Sequence, residues 1–148
     1  YSKLAKLGDR LAKADQLLNW EAFRPIIKDL YRNDTEQGGR PNVDEVVMVK
    51  LLVAQQWYGL SDEEAEREAV DRLSFRRFLG YPERVPDSTT IWLFGERLSE
   101  TGKDKVIWAE RQRQLDEKRH MVRKGIIQDA SFDIRAIDEM PGEELGLR

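Results

Sequence analysis

The sequence contains no cysteine and a single histidine, and both shortages exclude particular chemistries. Without cysteine the chain can form no disulfide, no thiolate zinc site and no cysteine nucleophile, which fits the reducing cytoplasm where we expect the protein to reside. His120 lies in the charged run DEKRHMVRK, an unfavourable place for the base of a Ser-His-Asp triad. No apolar run approaches the roughly 20 residues of a membrane span, so we expect no membrane partner.

The charge balance gives the chain no general attraction for polyanions, because its formal net charge is −3. A nucleic-acid site would therefore have to be a local patch of basic side chains. The length of 148 residues suits one ordinary domain with a real core. The chain is 40% apolar and 36% charged, which is typical of a helix-rich globular protein and not of a disordered tail.

Apolar residues recur in steps of three and four along much of the chain, which is the spacing of amphipathic helices. A first stripe runs from Leu4 to Leu18 and is expected to pack on the rest of the domain. The segment VDEVVMVKLLVAQQWYG is apolar nearly all round, which predicts a central buried helix that ends at Gly59. Asn42 with Glu45 is the predicted cap at its start.

Shorter helices follow, each with its own start and stop signals. Ser61 and Glu64 form a predicted capping box, and the next helix, DRLSFRRFLG, is expected to end at Gly80. Asp87 is the predicted N-cap of a helix that runs to about Glu100. A longer predicted helix, GKDKVIWAERQRQLDEKRHM, is basic towards its C-terminal end and completes this part of the chain.

The helical period breaks at GIIQDASF, where two isoleucines and an acid predict a short buried strand that ends at Asp129. The expected fold is thus mainly α, a multi-helix domain with helix-turn-helix-like elements followed by one short strand. We expect two parts, a helical domain over 1–120 and, over 121–148, the start of a second domain with an irregular acidic tail. A lone strand needs neighbours, so the sequence resembles the front of a larger protein.

Basic residues on the shorter helices make a candidate DNA-binding surface. The residues expected to contact DNA are Arg72, Arg76, Arg77, Arg84, Ser88, Thr89, Trp92 and Arg97. In the helix after Asp87, the core residues are expected to be Ile91, Phe94 and Leu98, while hydroxyls and a positive helix end could receive a phosphate. From the residues alone two alternatives stay open: the arginines line a solvated face, and Trp92 contacts a partner helix.

Four motifs, in this order and spacing, carry a resemblance to a known family: GRP, QQWYGLSD, DRLSFRRFLG and PDSTT. Together they resemble the N-terminal region of DDE transposases from bacterial and archaeal insertion sequences, in the group usually called the fifth family. GIIQDASF resembles the strand that carries the first catalytic aspartate of that family, which puts Asp129 at that position. The resemblance covers about Trp20 to Phe132.

This resemblance implies that the helical part binds double-stranded DNA at the terminal inverted repeats of an element. The strand would begin a ribonuclease-H-like domain, in which Asp129 would be a catalytic carboxylate and a ligand of Mg²⁺. DDE enzymes use two metal ions, and one carboxylate cannot hold such a pair. The second aspartate and the final glutamate have no counterpart in this sequence, so we expect a truncated form that is inactive alone and binds no metal tightly.

The sequence also departs from the family pattern. Family members often carry basic residues where this chain has Leu93 and Gly95, and a histidine where it has Ser88. Two other functions therefore stay open. One is a stand-alone helical DNA-binding or regulatory protein derived from a transposase, and the other is an interaction module that assembles, for instance as a homodimer, through the Leu4–Leu18 stripe or Trp92.

Overall fold

The computed structural model describes residues 11–28 and 43–126, which form helices joined by short turns. Helix α1 covers residues 11–17 and is followed by a 3₁₀ turn, Trp20–Phe23. The later helices are α2 (Arg24–Ile27), α3 (Glu45–Tyr58), α4 (Asp62–Asp71), α5 (Leu73–Phe78), α6 (Ser88–Thr101) and α7 (Lys103–Arg123). The mainly α fold class is confirmed for this part of the chain, whereas the strand predicted at Asp129 lies outside the described residues.

Helix α3 is the central element, as its nearly continuous apolar sequence predicted. Nine of its 14 residues are buried, and Gly59 ends it with a left-handed φ of 63° that a side-chain-bearing residue would adopt only with strain. Its start differs from the prediction, because the N-cap is Asp44, whose side chain accepts a hydrogen bond from the Val46 N–H. The predicted cap, Asn42, lies outside the described residues.

The core forms around the 3₁₀ turn, which packs against both α3 and α7. Leu11, Ala14 and Leu18 of the first stripe are buried there, as predicted, together with Phe23. α7 contributes its own buried apolar residues, which are Ile107, Trp108 and Leu115. The first helix is therefore held by packing within the same chain.

Lys50 ties three separate elements together. Its Nζ donates to Asp15 Oδ1 at 2.8 Å and to the carbonyl oxygen of Phe78 at 2.9 Å. The same ammonium lies 5.5 Å from the centre of the Trp20 ring and 5.3 Å from that of Phe78, within the range of a cation–π interaction. Its side chain is only 12% exposed, so these contacts form in a largely desolvated place.

Polar side chains also fix α7 against the beginning of the chain. Gln114 accepts a hydrogen bond from the Asn19 N–H at 2.7 Å and donates one to the Asn19 carbonyl at 3.2 Å. Lys103 Nζ donates to the carbonyl of Ile26 at 2.8 Å, at the C-terminal end of α2. α7 continues to Arg123, so the domain boundary predicted at residue 120 falls inside a helix; the division into two domains stays a prediction.

The predicted caps of α4 and α6 are confirmed. Ser61 and Glu64 form the reciprocal capping box, and the Asp87 side chain accepts from the Thr90 N–H. α6 ends at Thr101, next to the predicted end at about Glu100, and Gly102, with a φ of 74°, turns the chain into α7. Within residues 11–28 and 43–126, no helix combines the length and the apolar character needed to cross a bilayer.

Candidate nucleic-acid interface

Helix α5 turns two arginines outward, opposite its core side. Phe75 and Phe78 are buried, while Arg76 and Arg77 are exposed. Leu73 lies three and four residues earlier, on the same helix face as the two arginines, and is 61% exposed. The predicted arginine cluster therefore contains an outward-facing pair on one short helix.

The turn after α5 holds this pair at a fixed place. The Gly80 N–H donates to the Arg77 carbonyl at 3.0 Å and the Tyr81 N–H to the Arg76 carbonyl at 2.9 Å, which is the pattern of a Schellman motif. The Phe78 carbonyl accepts from Lys50, as described above. Arg77, which could have capped these carbonyls, instead donates from Nε to the Tyr81 hydroxyl at 3.3 Å.

The other two arginines near α5, Arg72 and Arg84, are less accessible to a DNA phosphate. Arg72 is half-buried, and its Nε donates to Glu68 Oε1 one helical turn earlier. Arg84 is also half-buried and lines a surface pocket of about 540 Å³ that includes Asp44 and Glu83. A phosphate at either guanidinium would have to compete with nearby carboxylates, whereas Arg76 and Arg77 face solvent.

Helix α6 divides its residues between core and solvent as the sequence predicted. Ile91, Phe94 and Leu98 are buried, Trp92 is 48% exposed, and Arg97 is exposed. At 3.6 residues per turn, Trp92 and Arg97 lie roughly 140° apart around the helix axis, on opposite borders of its outer face. One flat DNA surface would therefore meet these two side chains at different angles.

Between Trp92 and Arg97, the outer face of α6 carries apolar and acidic side chains. Leu93 is 40% exposed, Glu100 is exposed and Glu96 is half-buried. Gly95 is buried, so that position is not on the outer surface where a basic residue of the family pattern would meet a phosphate. α6 thus presents a mixed surface, less cationic than the outer face of α5.

Two carboxylates lie at the N-terminal end of α6. Glu66 Oε1, on α4, accepts from the Ser88 N–H at 2.8 Å, and Asp87 Oδ1 accepts from the Thr90 N–H at 2.8 Å. Thr89 is exposed between them. A phosphate that used this helix end would have to use the remaining groups or displace Glu66, and the contact predicted for Ser88 and Thr89 stays a prediction.

Sequence reasoning missed Lys50, Glu66 and Tyr81 as residues that shape this surface. The one signal for Lys50 is its position as a lone cation inside the apolar run VVMVKLLVA. Glu66 lies in an acidic segment in which the sequence pattern does not distinguish one glutamate from another. No local sequence signal identifies Tyr81 as part of this surface. The predicted catalytic and metal-binding residue, Asp129, lies outside the described residues, and within them no three His, Cys, Asp or Glu side chains form a metal-binding group.

The fold and surface define a helical domain with a local arginine patch on a chain of negative net charge. The family described as "Transposase domain (DUF772)" matches residues 1–97, more than half of the chain, and the protein belongs to this family. The match contains α3, α4 and α5 and reaches Arg97 within α6. No solved structure matches the chain.

Proposed function

We propose that this chain is the DNA-binding N-terminal part of a transposase of the DDE type, in the fifth-family group, and that it recognises the ends of its element for transposition. The observation that carries the proposal is the outward-facing pair Arg76 and Arg77 in a chain that belongs to a transposase-domain family. With a net charge of −3, attraction to DNA has to come from such a local patch.

The exposure and chemistry of the pair support phosphate contact. Guanidinium groups donate two parallel hydrogen bonds to phosphate oxygens, and α5 exposes two of them side by side. The other candidate contacts include Trp92 and Arg97, which are exposed on α6, and Arg84, which is half-buried. Phosphate contacts position a protein on DNA, so recognition of a particular end sequence requires further contacts with base edges.

The test is duplex binding over a range of salt concentrations. One duplex carries the terminal inverted repeat taken from the DNA that flanks the gene, and the other is a scrambled duplex of equal length. We expect tighter binding to the repeat and a steep fall of affinity with salt, since each phosphate contact contributes roughly −0.9 to the slope of log affinity against log salt.

The variant with Arg72, Arg76, Arg77 and Arg97 replaced by alanine should lose affinity and most of that slope. Arg113→Ala is the matched control, because Arg113 is exposed on α7 and is already bound to Glu110 and Glu117. Equal binding and an equal slope in the fourfold variant would show that the arginines form a solvated face and would contradict the proposal.

A second candidate function, a protein-interaction module, is favoured by the adjacent exposed side chains of Trp92 and Leu93. Apolar side chains flanked by the acidic Glu96 and Glu100 suit a protein partner better than a polyanion. Trp92→Ala distinguishes the two functions. Weaker duplex binding at unchanged mass by sedimentation supports DNA contact, whereas a change of assembly state with intact binding supports the interaction module.

A further inference from the structure

Tyr81 adopts a backbone conformation that its side chain disfavours. Its φ is 54°, and in residues 11–28 and 43–126 it is the one non-glycine residue with a positive φ. Left-handed backbone costs a residue with a Cβ roughly 1–2 kcal/mol, and such strain concentrates at functional sites. Packing does not account for it, since 55% of Tyr81 is exposed.

This conformation brings the phenol back to α5. Arg77 Nε donates to the Tyr81 hydroxyl oxygen at 3.3 Å, so the phenol uses a lone pair and keeps its own O–H to donate. Arg77 keeps the N–H groups of its two terminal nitrogens for another acceptor. Arg76 is exposed on the same helix face and forms no ion pair with any residue that the structure describes.

Among the residues that the structure describes, no side chain accepts a hydrogen bond from these donors, and a phosphate oxygen would supply that acceptor. We propose that Tyr81 is a phosphate-binding residue, and that its O–H, with the guanidinium groups of Arg76 and Arg77, binds one backbone phosphate of double-stranded DNA. The site rests on the proposed DNA-binding function and adds to it a neutral donor from outside the predicted arginine cluster. Tyrosine hydroxyls and arginines are among the groups that commonly contact DNA phosphates.

The rigid turn explains how a loop residue can serve this site. The Tyr81 N–H is bound to the Arg76 carbonyl at 2.9 Å, and Lys50 holds the neighbouring Phe78 carbonyl. The phenol and the Arg77 guanidinium are therefore held together beside this turn before DNA arrives, which reduces the ordering that binding requires.

The experiment compares Tyr81→Phe, Arg77→Ala and the double variant in binding to the scrambled duplex and the inverted-repeat duplex, with Arg113→Ala as control. Tyr81→Phe should weaken binding to both duplexes about tenfold, the loss expected for one hydrogen bond to a charged group. Its salt slope should equal that of the unaltered chain, because a phenol carries no charge. Arg77→Ala should reduce the slope by roughly 0.9.

Two further measurements separate direct contact from support of Arg77. In the Arg77→Ala background, Tyr81→Phe should still weaken binding, whereas no further loss would show that the phenol acts only through Arg77 and would overturn the proposal. Tyr81→Gly, which suits a left-handed φ, should bind weakly with an equal or higher Tm, whereas a lower Tm in step with the lost binding would indicate a purely structural role. Absence of binding by the unaltered chain would instead overturn the proposed DNA-binding function.

Discussion

Glu66 on α4 reaches the first turn of α6, where its Oε1 accepts a hydrogen bond from the Ser88 N–H at 2.8 Å. The first N–H groups of a helix have no partner within the helix, and this end carries a partial positive charge. Asp87 satisfies one such group and Glu66 another. The contact thus does for α6 what a second cap would do, and it fixes α4 against α6.

We expect Glu66→Ala to lower the free energy of unfolding by about 1 kcal/mol, the usual cost of a lost helix cap. Glu66→Gln should cost less, because an amide oxygen can still accept the hydrogen bond. The urea midpoint measures both, and Glu63→Gln, an exposed acid on the same helix, is the control.

The same pair of variants tests phosphate contact at Ser88. If DNA approaches the start of α6, Glu66→Gln removes a repelling charge and should tighten duplex binding, while Glu63→Gln changes it less. Unchanged affinity in Glu66→Gln would place the phosphates elsewhere on the domain.

Lys50→Met should lower the free energy of unfolding more than replacement of a surface lysine does. Methionine keeps most of the aliphatic stem, so the variant tests the ammonium group alone. The Phe78 carbonyl and Asp15 each lose a charged donor, and the aromatic rings lose a cation. We expect a loss of about 2 kcal/mol in the free energy of unfolding, measured by urea denaturation. Lys105→Met, at an exposed position of α7, is the matched control, and an equal effect of both changes would contradict the assigned role.

Features formed by residues close together in the sequence could be predicted, and contacts between residues far apart in the sequence could not. The capping box of Ser61 and Glu64 and the stop at Gly59 are local, so pattern was sufficient for them. The start of α3 was missed because Asn42 and Asp44 are both good caps, and local rules do not include the hydrogen bond from Arg24 Nη1 to Asp44 Oδ2 at 3.0 Å.

The residues that shape the surface were harder to predict than the helices. Lys50 and Phe78 are separated by 28 positions, and Glu66 and Ser88 by 22, so no local spacing reveals either contact. The left-handed backbone of Tyr81 could not be predicted from the sequence either, because tyrosine rarely adopts this conformation. The exposure of Arg76 and Arg77, by contrast, followed from the helical period.

Acid should lower the stability of α7 through Glu110, whose partners Arg113 and Gln114 lie on the same helix. Hydrogen bonds from Arg113, and then from Gln114, lower the pKa of this carboxyl against the opposing effect of burial. Because the folded pKa lies below the unfolded one, the unfolded chain binds more protons and stability rises with pH. The contribution is fully present above the ordinary glutamate pKa of roughly 4.3 and is lost as the pH falls through the lowered folded value.

Glu110→Gln checks this prediction by urea denaturation at neutral pH and at about pH 3. The variant should be less stable than the unaltered chain at neutral pH, and the difference should shrink in acid. A difference that is constant over this range would show that the carboxylate charge does not contribute.

The last prediction concerns catalysis at Asp129, which we propose, from the resemblance of GIIQDASF, to be the counterpart of the first catalytic aspartate of DDE transposases. Two-metal strand cleavage needs several carboxylates to hold the ions, and Asp129 is the one carboxylate that the resemblance proposes for this role. Mg²⁺ prefers octahedral coordination and gives up its waters reluctantly, so a single carboxylate should bind it weakly and through water. We therefore expect no nicking when the chain is incubated with Mg²⁺ or Mn²⁺ and a duplex carrying the element ends. Asp129→Ala is the control, because nicking that this change abolishes would show that the chain does assemble an active site.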